Sequence, residues 1–359
     1  MFIQHACIEF EIYVLSCQVY VTFSNKIPEV NQIEVEAKTI KITIANKVHL
    51  LEIEEYTFEK NSFREIQVQN NKLIFRAQLA CSPSTEASCF TFVSNKMPSL
   101  KTAEKVLISC SGCKTLLSDQ PFSFYRVLPV ELWEVDTNMF CHGGTENLIF
   151  QPQENDCYYD KISLYIKNKL WRSHKIVICN NCNLCLGIGI EYGVRFWLDS
   201  IILKYDCDDV QMNVSSFDCF AVTMDNIIKA MLGPISHVII EYRDSKNCSQ
   251  FLSMKVIKKC EIAVCINSSE KNVLKLTRKN CSSIIWHTSS EFIEEWKNNF
   301  LVTEIQVSER MYQCAVSYLT FINQTFLSNN NYSGKEKPLK SYMFEENMLN
   351  AFNIKNICM

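Results

Sequence analysis

Two cysteine pairs constrain this chain more than any other feature. Cys110-Ser111-Gly112-Cys113 and Cys179-Asn180-Asn181-Cys182 both read CxxC. A CxxC turn is tight enough to aim two thiolates at one ion, and two such knuckles complete a tetrahedron of soft ligands. Residues 114–178 separate the pairs, where compact zinc modules use roughly 15–20 residues. The pattern predicts one structural zinc on Cys110, Cys113, Cys179 and Cys182, with a long insertion looped out between the knuckles. The competing reading is four unrelated buried thiols, because CxxC arises by chance in a cysteine-rich chain. Cys185 is a spare neighbour that could replace Cys182. A redox role is disfavoured, since neither pair sits in a strand-to-helix βαβ setting.

Cysteine usage also bears on the compartment. The chain has 359 residues and 19 cysteines, a fraction below the roughly 8–10% of small disulfide scaffolds. An odd count cannot pair completely. The N-terminus lacks a basic stretch and puts Glu9 and Glu11 where a signal peptide would be apolar. The expectation is a reducing compartment, cytoplasm and nucleus, where spaced cysteines mean metal or chemistry more often than disulfides. Sequons such as Asn213-Val214-Ser215 then carry no weight. With 36 basic and 39 acidic side chains, the net charge is −3, so no direct nucleic-acid binding through a basic surface is expected. No run approaches the roughly 18–20 uncharged apolar residues of a membrane span. Only 8 residues are glycine, and no GxGxxG or GxxxxGK[ST] motif appears, which argues against dinucleotide and P-loop sites.

The organisation expected is α+β: a β-rich N-terminal module (1–100), a zinc-stapled middle segment (101–193), a mixed α/β C-terminal module (194–327), and a loop and tail (328–359). Ile8 and Phe10 alternate with Glu9 and Glu11, and Val19, Val21 and Phe23 keep the two-residue period. Ile33 and Val35 do the same, and then the parity shifts to Ile40, Ile42 and Ile44, as a bulge or a second strand would cause. Asn70-Asn71 between apolar runs is a hairpin signal. Strict alternation implies antiparallel sheet with one face buried and one wet. Phe220, Met224, Ile227, Ile228 and Met231 fall on one helical stripe, stopped by Gly233-Pro234. Met311, Ala315, Tyr318, Leu319 and Ile322 form another. Thr288 with Glu291 suggests a capping box before a third helix. Strands are expected near 235–242 and 251–258.

The text between the knuckles is the most distinctive. Arg126-Val-Leu-Pro129, Trp133, Cys141-His142 and Pro152-Gln-Glu-Asn-Asp-Cys157 lie between the CxxC pairs, and Leu186-Gly187 follows the second. Together these resemble the HECT-like ubiquitin-protein ligase family, specifically over about 105–190. The resemblance implies an enzyme that accepts ubiquitin from a ubiquitin-conjugating enzyme and transfers it to a protein substrate such as a cyclin. It also implies an alternative. Members of the family are linked to the metallo-β-lactamase-type endonuclease of mRNA 3′-end processing, and a non-catalytic inhibitor would insert the Cys141-His142 segment into that partner's metal site.

Cys141 therefore has three readings: a thioester nucleophile with His142 as its base, a soft ligand offered to a partner's zinc, or a structural residue. Gly143-Gly144 would leave the segment accessible. Arg126 and Trp133 are candidate partner contacts, although a core tryptophan is as good a reading. Glu154 and Asp156 could be paired acids, but a turn cap by Asn155 or Asp156 is the simpler role. The histidines at 5, 49, 142, 174, 237 and 287 are scattered, and His237 reads as a core or edge residue.

Overall fold

A computed structural model describes residues 2–11, 14–80, 106–118, 124–127, 156–160, 162–167, 175–190, 193–205, 211–231, 233–244, 246–266, 272–299, 301–327 and 338–344. Seven strands open the chain: β1 (Ile3–Glu11), β2 (Ser16–Phe23), β3 (Val30–Val35), β4 (Thr39–Ile44), β5 (Lys47–Ile53), β6 (Arg64–Gln69) and β7 (Lys72–Gln78). The middle holds β8 (Val106–Cys110), β9 (Phe124–Val127), β10 (Asp156–Tyr159), β11 (Ser163–Lys167), β12 (Ile176–Ile178), β13 (Cys185–Ile190) and β14 (Gly193–Trp197). Then come β15 (Ile201–Tyr205), β16 (Gln211–Met212), helix α1 (Ser216–Ala230), β17 (Ile235–Arg243), β18 (Ser249–Ile266) and β19 (Val273–His287). Helix α2 (Glu291–Asn299), β20 (Val302–Gln306), helix α3 (Glu309–Ile322), a π-helical turn (Asn323–Leu327) and β21 (Leu339–Phe344) complete the described chain. The architecture is β-rich, with the four cysteines in its middle.

Most strands join one sheet, in the order β3-β4-β5-β19-β18-β1-β2-β7-β6, with β17 and β20 beyond β18 and β21 beside β19. The hairpin of β18, 18 residues long, and β19, 15 residues long, is its spine. One half of it pairs with β1 and β5 from the start of the chain, and the other half pairs with β17 and β21. The segment 56–61 draws the far strands around a common core. Phe58 bridges to Leu79, the Phe58 amide donates to Ala37 O, and the Asn61 amide donates to Val35 O. Inside lie Ile8, Val19, Phe23, Ile40, Ile42 and Phe75, all fully buried. A second core joins the middle segment to α1, α3 and the faces of β17–β19.

The alternation expected of β2, β3 and β4 is present, and the parity shift is the boundary between β3 and β4, a separate antiparallel pair. β1 departs from the expectation of one wet face. Ala6, Ile8 and Phe10 enter one core while Cys7 enters the other. Glu9, on the Cys7 face, is only 8% exposed and accepts an ion pair from Lys340 of β21. Its acidic side chain looked solvated because its partner lies 331 positions away. Residues 339–344, expected in the loop and tail, form β21 instead and pair with Cys281–Trp286.

Both expected helical stripes are helices with capped starts. Ser215 Oγ accepts from the Asp218 amide, and Ser308 Oγ accepts from the Met311 amide, each satisfying an orphan donor of the first turn. α1 and α3 pack through Tyr318, whose ring centroid lies 5.6 Å from that of Phe217 and 6.0 Å from that of Phe220. α2 begins at Glu291, so the residue before it is Ser290; Thr288 lies too early to form the expected box. His237 and His287 both meet the edge of Trp296 from α2, at 5.0 and 5.7 Å.

α3 is fixed to the sheet by a relay of hydrogen bonds. Trp286 Nε1 donates to Ser341 Oγ at 2.9 Å, Ser341 Oγ donates to Leu319 O at 2.6 Å, and Tyr318 Oη donates to Tyr342 O at 2.9 Å. Ser341→Ala leaves the buried indole donor unpaired and should lower the unfolding free energy by about 1–3 kcal/mol. Urea denaturation checks this; an unchanged midpoint would show that the relay contributes nothing.

Candidate metal centre

Each knuckle is built locally, and the two are built alike. β8 runs into the first at Cys110, and a bridge between Ser109 and Leu116 closes that hairpin. β12 runs into the second, and Ile178 pairs with Cys185 on the return. In the first, the Cys110 amide donates to Thr115 O at 2.8 Å and the Lys114 amide to Cys110 O at 3.0 Å. In the second, the Cys179 amide donates to Leu184 O at 2.8 Å and the Asn183 amide to Cys179 O at 2.9 Å. Lys114 and Asn183 occupy the same turn position, with φ of 65° and 61°. Asparagine tolerates that left-handed backbone; lysine does so at some cost. Two equivalent turns thus face one another.

The sulfurs meet crosswise. Cys110 Sγ lies 3.6 Å from Cys182 Sγ, Cys113 Sγ lies 3.5 Å from Cys179 Sγ, and all four fall within 4.8 Å of one another. These separations are far beyond the S–S bond of about 2.0 Å in a disulfide. A tetrahedral ion with metal–sulfur bonds of about 2.3 Å has sulfur–sulfur edges of about 3.8 Å. The donor set therefore fits one metal ion, and an all-thiolate tetrahedron suits zinc or iron. Cys110 and Cys179 are fully buried, Cys113 is half-buried and Cys182 is exposed. Cys185 lies outside the set, in β13, with its thiol pushed up to about 11 by burial. That resolves the choice between Cys182 and Cys185.

The surroundings tune and fix the cluster. Burial pushes the Cys110 thiol up to about 12. Hydrogen bonding from Thr115 brings Cys113 down to about 5. The Cys113 and Thr115 side chains lie 3.1 Å apart, and Asn181 Nδ2 donates to Thr115 Oγ1 at 3.1 Å, so a side chain from each knuckle shares this contact. Such outer contacts hold ligands in position. Gly112 supplies close approach: a Cβ there would lie 3.2 Å from Cys182 Sγ.

The first knuckle is also tied to both main helices. The Ser111 amide donates to Ser200 O at 3.0 Å, and Arg310 Nη1 donates to Ser111 Oγ at 2.8 Å and to Asp199 O at 3.3 Å. Asp199 is buried. Its carboxylate accepts from Ser308 Oγ, the cap of α3, at 2.6 Å and from Ser200 Oγ at 3.2 Å. Burial raises its pKa, and the serine contacts, including one from Ser216 at the start of α1, oppose the rise. Nothing in the sequence marked Asp199, which reads as an ordinary turn residue between two strands.

A family model described as HECT-like ubiquitin-conjugating enzyme (E2)-binding matches residues 12–329. The chain belongs to this family. Comparison with curated proteins and comparison with solved structures return no match. The family match spans both knuckles and everything between them, and the family's description is one of binding a ubiquitin-conjugating enzyme.

The other residues singled out in the sequence fare differently. Cys141, His142, Trp133 and Glu154 lie outside the described residues. Arg126 is in β9, in register with Tyr158 of β10. Asp156 begins β10. Cys157 is buried in the core shared with the helices. Gly187 of β13 has a physical reason to be glycine: a Cβ there would lie 2.0 Å from Arg195 O on the neighbouring strand.

Two outcomes follow for the metal. Purified protein should carry one ion per chain, lost in Cys179→Ser and retained in Cys185→Ser, and Gly112→Ala should bind it more weakly by pressing on Cys182. Metal analysis with chelator competition reads both, and retention in Cys179→Ser would contradict the assignment. A third outcome concerns Asp199. Its raised folded-state pKa means that its contribution is most favourable when protonated and is lost as pH rises through that pKa. Relative to Asp199→Asn, the wild type should therefore lose stability as pH rises above the ordinary carboxylate range, measured by denaturation at several pH values. Parallel pH profiles would contradict this.

Proposed function

We propose that this protein is a ubiquitin-protein ligase that binds a ubiquitin-conjugating enzyme, accepts its ubiquitin, and transfers it to a protein substrate such as a cyclin. The observation that carries the reading is the family match, which spans nearly the whole chain. The ion in the four-cysteine set is proposed to be structural zinc. Four protein thiolates leave no open coordination position, so its work is to hold backbone rather than to activate substrate. The reading places the protein in the cytoplasm and nucleus, where thiols stay reduced.

Acceptance of ubiquitin needs an exposed thiolate. It attacks the thioester carbonyl of the charged conjugating enzyme, a new carbon–sulfur bond forms, and the enzyme's own thiolate leaves. A substrate lysine amine then attacks the new thioester, releasing the cysteine and forming the amide. Most described cysteines suit this poorly. Burial pushes Cys17 to about 12 and Cys219 well above its ordinary value, and four others are gathered in the metal set. Cys248 is exposed and serves as the comparison. Of the three readings of Cys141, the one proposed is the thioester nucleophile, with His142 as the adjacent base.

The test mixes activating enzyme, conjugating enzyme, ubiquitin and the full chain, and resolves the products on a non-reducing gel. A reductant-sensitive ubiquitin adduct is expected, lost in Cys141→Ser and retained in Cys248→Ser. An adduct that survives Cys141→Ser would remove that residue from the mechanism. Binding of the conjugating enzyme with no adduct in any variant would leave only bridging between enzyme and substrate.

A further inference from the structure

The strand β6 stands apart from the rest of the main sheet. All six of its residues are exposed. It pairs with β7, and among the described residues its other edge is open. Ile66 and Val68 are each 46% exposed. Gln69 and Lys72 flank the two-residue turn Asn70-Asn71 and face each other in register. In such a hairpin the flanking pair exchanges both hydrogen bonds and the next position does not. The N–H and C=O of Val68 therefore point away from β7, toward the open edge. Natural sheets shield such edges with lysine, proline, a bulge or a covering segment; β6 is bulged between Arg64 and Gln67, with Glu65 at φ 55°, and beyond the bulge Val68 stands beside its outward-facing backbone groups.

Chemistry at the start of the strand narrows the occupant. Arg64 stands directly opposite Arg76, and both line a small polar pocket with Ser16, Ser62, Glu65 and Gln78. Like charges in directly opposed positions are unfavourable. Arg76 is already matched by Glu11 and donates to Ser16 Oγ at 2.8 Å. Arg64 has no ion pair among the described residues, and Glu65 pairs with neither arginine. A strand added antiparallel to β6 brings its C-terminal end to Arg64. A second copy of this chain is a poor fit, because six residues of edge fall well short of the roughly 1,000 Å² that a stable interface needs.

We propose that the open edge of β6 takes up an extended peptide segment by antiparallel strand addition, with apolar residues at alternate positions and an acidic residue at the end that reaches Arg64. Backbone hydrogen bonds give the affinity, Ile66 and Val68 select the apolar positions, and Arg64 selects the acid.

The probe is a synthetic ten-residue peptide of alternating threonine and valine ending in glutamate, titrated into the isotope-labelled full chain. Saturable amide shifts at Ile66–Gln69 are expected. Affinity should fall at least tenfold when the terminal glutamate becomes lysine, when alternate peptide amides are N-methylated, and in Arg64→Glu. The same peptide should also bind the Ile66→Lys/Val68→Lys variant at least tenfold more weakly; both positions are exposed, so that variant should keep its fold. Absence of shifts at β6, binding that survives N-methylation, or indifference to the terminal charge would each overturn the proposal.

Discussion

The meeting of four sulfurs between two hairpins is the constraint on which the middle of this protein depends. One hairpin extends a strand of the three-stranded sheet β16-β15-β8, and the other closes the end of the six-stranded sheet β12-β13-β14-β11-β10-β9. An ion bound there joins two sheets that share no strand. Free energy of metal binding at such a junction is also folding free energy, because the unfolded chain has no preformed site. The residues between the knuckles include β9, β10 and β11 of the six-stranded sheet, and Cys141 and His142 fall in the sequence between β9 and β10, parallel neighbours in that sheet.

The same junction reaches the helices. Ser111 sits between the two cysteines of the first knuckle and is held by Arg310 of α3. Asp199 joins that arrangement to the cap of α3 through Ser308. A buried carboxylate against capping serines is costly to desolvate and is stabilised by those hydrogen bonds. α3 continues to Tyr318 and Ser341, and β21 continues to Lys340 and Glu9 of β1. A chain of short-range contacts therefore runs from the metal centre to the first strand. No single link is large, but beyond the exposed Arg310–Ser111 contact each is buried or half-buried, where a missing partner costs more than an average hydrogen bond supplies.

What the sequence disclosed follows from how local each feature is. The knuckles were legible because a CxxC turn is a property of six neighbouring residues. Which knuckle faces which, and that Cys182 rather than Cys185 completes the set, depends on the pairing of Ile178 with Cys185. α1 and α3 were legible because each apolar stripe lies within one segment, and for α1 the Gly233-Pro234 stop follows it; their caps, Ser215 and Ser308, were not read from the sequence. The strands β2 and β4 were legible from their period. β1 was misread on one face because Glu9 finds its cation in β21, and β21 itself was hidden in what reads as loop. The union of β1 with β18 and of β5 with β19 has no local signature at all. Asp199 was invisible for the same reason: its partners Ser216 and Ser308 lie 17 and 109 positions later.

The central claim is that one metal ion, bound by four thiolates, clamps the two hairpins together. X-ray absorption at the metal edge of the purified protein tests it most directly. The account predicts zinc with a single shell of four sulfurs at about 2.3 Å. A shell containing nitrogen or oxygen ligands, or fewer than four sulfurs, would contradict it.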